Sequence, residues 1–162
     1  MNSKLHAVCD GRGRPLIMLL SEGQTSDFKG AASMLAALPR ARELLADKGY
    51  DADWFRQALA ERGITACIPS KSNRKIPIEH DRTLYRQRHK IENMFGRLKD
   101  WRRVHTRYDR CAHTFMSAIC IAAIVIFLDQ SMSPEPSTAI KYTMDADILL
   151  VILHLQCCSQ SS

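Results

Sequence analysis

The sequence has no apolar run long enough to cross a bilayer. Its longest, "FMSAICIAAIVIFL" from Phe115 to Leu128, is fourteen residues, whereas a spanning helix needs roughly 20. Such a run reads as a buried core helix, and its flanks carry no anchoring pattern. The opening "MNSKLHAVCDGRGRP" lacks the continuous apolar stretch of a secretory signal. The six cysteines include no C-x-x-C pair, and the six histidines include no pair at i, i+4. Both absences argue against a zinc or histidine metal site. Several of the cysteines lie in apolar stretches, where they act as small hydrophobes. A reduced, cytoplasmic compartment and no membrane partner are the expectation.

What is present is an ordinary soluble composition, 46% hydrophobic and 25% charged, in 162 residues. That length suits one domain with a real core. The net charge of +6 is concentrated. Residues 81–110 hold ten Lys or Arg against four Asp or Glu, and the rest of the chain balances at thirteen against thirteen. A focused basic stripe is the electrostatic footprint of a polyanion, most often nucleic acid.

Along the chain, "KLHAVCD", "GRGRP" and "LIMLLSEG" spell a β-hairpin. A helix follows from Ser26 or Asp27, stopped by Pro39. "RELLAD" is a short strand ending on Asp47, and "ADWFRQALAERG" an amphipathic helix closed by Gly63. "ITACIPS" is another strand, and "SKSNRKIPIEHDR" a polar basic loop. Asp81 can cap a long helix over about 83–103, and a second helix covers 114–128. From Gln130 the pattern changes, so residues 1–129 are expected to form the compact part and 130–162 an appended tail of uncertain order. Strands paired antiparallel and then alternating with helices predict a mixed α/β sheet. Four strands make it thin, with no central strand between its halves.

At about 100° per residue, Tyr85, Arg88, Glu92, Phe95 and Lys99 share an arc of roughly 80° on the predicted helix. Arg88 and Lys99 flank Glu92 and support its ionised form. Because Phe95 shares the stripe, Glu92 is expected at the core edge. A second carboxylate, Asp47, ends a strand before a Gly-containing turn, where open α/β sheets gather ligands. Each acid also has a plain reading: Glu92 in a surface ion-pair ladder, Asp47 as the start of a turn. Two carboxylates so placed are also a usual way to hold magnesium or manganese beside a phosphate.

Tyr85-x2-Arg88-x3-Glu92-x6-Lys99 resembles the Y-R-E-K signature of bacterial insertion-sequence DDE transposases, at the spacing of insertion-sequence families four and five. "ADKGYD", "HAVCDGRGRPL", "EGQTSD", "IPSKSNRK" and "LKDWRRVHTRYD" resemble further blocks of that group, so the likeness covers about residues 4–129. It implies the C-terminal part of a ribonuclease-H-like catalytic domain that cleaves and joins DNA strands with two Mg2+ or Mn2+ ions. Asp47 and Glu92 would be the second and third catalytic, metal-binding acids. Tyr85, Arg88, Lys99, Arg102 and Arg103 would bind transposon-end and target DNA, with Trp101 and the arginines at 107 and 110 extending that surface.

The family's first aspartate lies on the central strand, upstream of the block that starts here at Lys4. Its absence matches the thin sheet and implies a truncated chain, inactive alone, that needs an upstream transposase polypeptide or a homo-oligomer. Asp10, the acid near the start, sits in a hairpin turn. The alternative is a non-catalytic basic nucleic-acid-binding protein.

Overall fold

The computed structural model describes residues 3–107, 109, 111–128 and 146–157, the last stretch as backbone. Strands β1 (Ser3–Asp10) and β2 (Pro15–Glu22) form an antiparallel hairpin. Asp10 fixes its turn. One carboxylate oxygen accepts the Arg12 and Arg14 N–H groups, both at 2.9 Å, while the other accepts Arg14 Nε at 2.7 Å. Gly13 supplies the left-handed backbone, φ 81°, that the turn requires. Asp10 is therefore fully engaged in turn geometry.

Helix α1 (Asp27–Leu35) leads to β3 (Ala41–Ala46), and α2 (Asp53–Glu61) leads to β4 (Thr65–Cys67). β3 and β4 lie parallel, as a helical crossover demands. The second half is helical: α3 (Arg82–Tyr85), a tight turn at Arg86–Arg88, α4 (His89–Asp100), α5 (Arg102–Thr106) and α6 (Ala112–Leu128).

The sheet has five strands, in the order β2-β1-β5-β3-β4. β5 (Ala146–Cys157) comes from beyond Gln130 and runs antiparallel to β1 and parallel to β3. It takes the central position that the sequence reading left open. Its sequence, "ADILLVILHLQC", is nearly all apolar through its middle, the composition of a strand buried on both faces. Without it, β1 and β3 would each present an unpaired edge.

Helices cover both faces. On one, α4, α5 and α6 pack Ile91, Met94, Leu98, Val104, Phe115 and Ile119 against Leu5, Ala7 and Leu45. On the other, α1 and α2 pack Met34, Phe55 and Leu59 against Val8, Leu44 and Ala46. The alternation of Ala7 and Val8 between the two clusters follows the two-residue period of a strand. The result is the mixed α/β sheet that the patterning predicted, in an arrangement consistent with the ribonuclease-H-like topology that the family resemblance implied.

The predicted long helix differs. It is interrupted at Arg86–Arg88 by a 3-10 turn and at Trp101 by extended backbone, φ −74° and ψ 108°. Trp101 opens α5, and burial of Val104 against α6 redirects the chain. No helix among the described residues is long and apolar enough to cross a membrane.

Candidate active site at the end of β3

β3 ends on three buried residues, Leu44, Leu45 and Ala46, which carry Asp47 to the carboxyl end of the strand at 31% side-chain exposure. Asp at such a turn usually caps it through its side chain. Here the backbone does that work: the Asp47 carbonyl accepts the Tyr50 N–H at 2.8 Å, and the carboxylate makes no cap bond. It is left to turn toward α3 and α4.

Asp81 starts that segment. Its carboxylate accepts the N–H groups of Thr83 and Leu84 at 2.7 and 3.0 Å, an ordinary N-cap. The 3-10 turn after α3 then brings Arg88 between two acids. Its Nη2 donates to Asp47 Oδ2 at 3.1 Å, and its Nη1 donates to Glu92 Oε1 at 2.9 Å. Tyr85 Oη donates to Asp47 Oδ1 at 3.4 Å. Burial raises the Tyr85 hydroxyl to about 12, with the Asp47 charge adding to that direction against the opposing pull of Arg88. Tyr85 therefore stays a neutral donor.

One guanidinium thus joins both carboxylates, while its own Nε is buried with no hydrogen-bond partner. Glu92 is not at the core edge as the stripe suggested. Its side chain is 55% exposed, because α4 buries Ile91, Met94, Phe95 and Leu98 and turns Glu92 outward. Paired surface charges of this exposure contribute at most about 1 kcal/mol each, so the arrangement is held weakly enough to rearrange.

The other predicted site residues lie apart. Lys99 and Arg102 are exposed and form no ion pair among the described residues. Arg103 is exposed and grips Asp109 through two bonds of 2.9 Å. Arg107 is buried with its guanidinium 5.1 Å from the Phe115 ring centre, a packing role and not part of an exposed surface. The arginine at 110 lies outside the described residues.

Two hard-oxygen donors converging on one cation suit Mg2+ or Mn2+ in chemistry. They fall short in number, since no group of three Asp, Glu, His or Cys side chains gathers among the described residues. β5 passes this end of β3 with Val151 beside Ala46. Its one acid, Asp147, precedes Ile148, which pairs with Glu43 toward the far end of β3. At about 3.3 Å per residue that is some 16 Å from the Asp47 end.

Sequence reasoning passed over a second feature beside Asp47. An open cleft of about 580 Å3 is lined by Asp47, Lys48, Gly49, Lys71, Ser72 and Asn73. Its second wall comes from the basic loop, whose charge was the available signal.

A family described as the transposase DDE domain matches residues 44–129, from the second half of β3 through α6. The proposed transposase for insertion sequence element IS6501 of Brucella ovis is 36% identical over 129 residues, covering 79% of this chain and 99% of that protein. The proposed transposase for insertion sequence element IS402 of Burkholderia cepacia is 31% identical over 121 residues, 68% of this chain and 55% of that protein. The chain thus spans nearly all of the first relative and about half of the second. No solved structure matches it.

Proposed function

The chain belongs to the family of transposases with a DDE domain, and from that premise we propose that it serves DNA transposition of a bacterial insertion sequence of families four and five, as the C-terminal part of a catalytic domain. The observation that carries this reading is the convergence of Asp47 and Glu92, from a strand end and a separate helix, on the single guanidinium of Arg88. A surface ladder alone would join Arg88 to Glu92 and leave Asp47 out.

Asp47 and Glu92 would hold the divalent cation together with a third carboxylate from elsewhere. Bound there, the cation would polarise a phosphodiester and activate the attacking hydroxyl. The residues present do the rest. Arg88, with an unsatisfied Nε, gains by swinging from the acids to a DNA phosphate, and Tyr85 keeps a neutral hydroxyl directed at Asp47. Lys99, Arg102 and Arg103 extend the cationic surface along α4 and α5.

The second reading, non-catalytic DNA binding, is favoured for the chain alone by one observation. The strand beside Asp47 brings no carboxylate to this end of the sheet. The full chain should bind duplex DNA in a salt-sensitive way and cleave it little in Mg2+ or Mn2+. Adding an upstream transposase polypeptide with its own aspartate should restore cleavage, and Glu92→Gln should abolish the restored cleavage while leaving binding intact or tighter. Robust cleavage by the chain alone would overturn the need for a third acid. Loss of binding in Glu92→Gln would reduce Glu92 to an ion-pair partner.

A further inference from the structure

The loop between β4 and α3 is long, polar and exposed, yet it is fastened at two points. At its neck, Ser70 Oγ accepts the Ile78 N–H at 2.7 Å and donates to the Ile78 carbonyl at 3.1 Å. At its base, Asp51 Oδ2 accepts the Lys71 N–H at 2.9 Å and Arg74 Nε at 3.0 Å. Asp51 Oδ1 accepts Arg56 Nε at 2.9 Å, and Arg56 reaches on to the Ile68 carbonyl at 2.7 Å. The Asp51 side chain is 1% exposed. A buried carboxylate with this many charge-assisted bonds is a strong anchor for a surface loop.

What the anchor holds out is cationic. Lys48, Lys71 and Lys75 form no ion pair among the described residues, whereas Arg74 is consumed by Asp51 and Asp53. Lys71 is aimed by its ammonium lying 4.1 Å from the centre of the Phe28 ring. Two adjoining clefts share Lys71 and Asn73 as walls: the one that reaches Asp47, and another of about 480 Å3 that adds Arg74, Lys75 and Ile76 opposite Asp51 and Asp53. Beside the Asp47 carboxylate, the first offers two ammonium groups, a hydroxyl and an amide, and no aromatic residue lines it on which a base could stack.

We propose that the loop at 71–75 and the turn at Lys48–Gly49 form a groove for the sugar–phosphate backbone of a DNA strand, delivering a phosphodiester to Asp47 from the side that Arg88 and Tyr85 do not line. Open shape, unpaired lysines and short polar donors suit a chain of phosphates read without regard to sequence. A preorganised loop also loses little conformational freedom on binding. The inference rests on the DNA-transposition reading and adds a second wall to it, separate from the α4–α5 surface.

The test is fluorescence anisotropy of the full chain on labelled duplex DNA across a range of NaCl concentrations. Each phosphate contact contributes about 0.9 to the slope of log affinity against log salt. Lys48→Gln/Lys71→Gln should flatten that slope by about two and weaken binding roughly tenfold at low salt, with an unchanged circular dichroism spectrum. Wild-type slope and affinity in this variant, beside a loss in Arg102→Gln/Arg103→Gln, would overturn the groove and leave DNA binding on α5. A wild-type chain whose DNA affinity does not change with salt would overturn the DNA reading itself. Inorganic phosphate that displaces the DNA beyond chloride of equal ionic strength would make the cleft a small-anion pocket and overturn it as a strand groove.

Discussion

Asp47 and Asp51 lie four residues apart and are put to opposite uses. Asp47 is partly exposed and shares a movable arginine, while Asp51 is sealed beneath a loop and held by three donors. Burial alone would raise the Asp51 carboxyl. The hydrogen bonds from Arg74, the Lys71 N–H and Arg56 outweigh it and bring the value down to about 2. A depressed carboxyl contributes stability that is fully present above its ordinary value and is lost as pH falls through the folded one. That window runs from about pH 4 down to about 2. Asp51→Asn should cost about 3 kcal/mol at neutral pH by removing the buried negative charge that Arg56 and Arg74 share. The gap between wild type and variant in urea melts should narrow across the same acid window.

Two glycines make a second contrast at this scale. A Cβ on Gly30 would sit 2.5 Å from His6 Cε1. The His6 ring cannot yield easily, because it is fully buried and held by Ser21 Oγ at 2.9 Å. Gly96 on exposed α4 has nothing within 4 Å. Gly30→Ala should destabilise by about 2 kcal/mol, and Gly96→Ala should stabilise by up to about 1 kcal/mol. Thermal melts of the two variants should move in opposite directions.

Among the elements, β5 has the widest consequence. It pairs with β1 through Leu150 opposite Cys9, and with β3 through Leu150 beside Leu45. A proline at that position removes a ladder donor in the middle of the sheet and forces the neighbouring strands apart. Leu150→Pro should therefore cost about 3 kcal/mol or more and make the chain prone to aggregate through the edges of β1 and β3. An unchanged melting temperature and a monodisperse sample would remove β5 from the sheet. The breaks around α4 act at this same level, since the turn at Arg86–Arg88 is what lets Arg88 reach back to β3.

Across the whole molecule, charge is segregated. The surplus of six cations between residues 81 and 110 stands against neutrality elsewhere, on helices that cover one face of the sheet. Salt dependence should therefore dominate DNA binding, with a log–log slope of roughly −5 for the wild-type chain. A slope near zero would mean that the stripe has no polyanion to meet. The two clefts at the basic loop add lysines from outside that segment, which a count along the sequence assigns to the balanced remainder.

The residues Asp47, Tyr85, Arg88 and Glu92 were legible as a group because helix periodicity and strand-end position are local properties. So were the hairpin, the crossover units and the Asp81 cap. Pairing was not. Nothing in the spacing of "ADILLVILHLQC" says which strands it enters, because any continuous apolar run can fill any buried ladder and only the open edges of β1 and β3 choose its place. The exposure of Glu92 was misread for a related reason: a stripe shared with Phe95 gives a direction on the helix, while the packing of α5 and α6 decides where the core boundary falls. The sequence by itself determined the residues at hand, Glu92 within a basic segment and Asp47 at the end of a strand outside it. Only the tertiary structure decided that one arginine joins those acids, that a buried aspartate holds a lysine loop beside them, and that the tail closes the sheet, because each depends on contacts between segments remote along the chain.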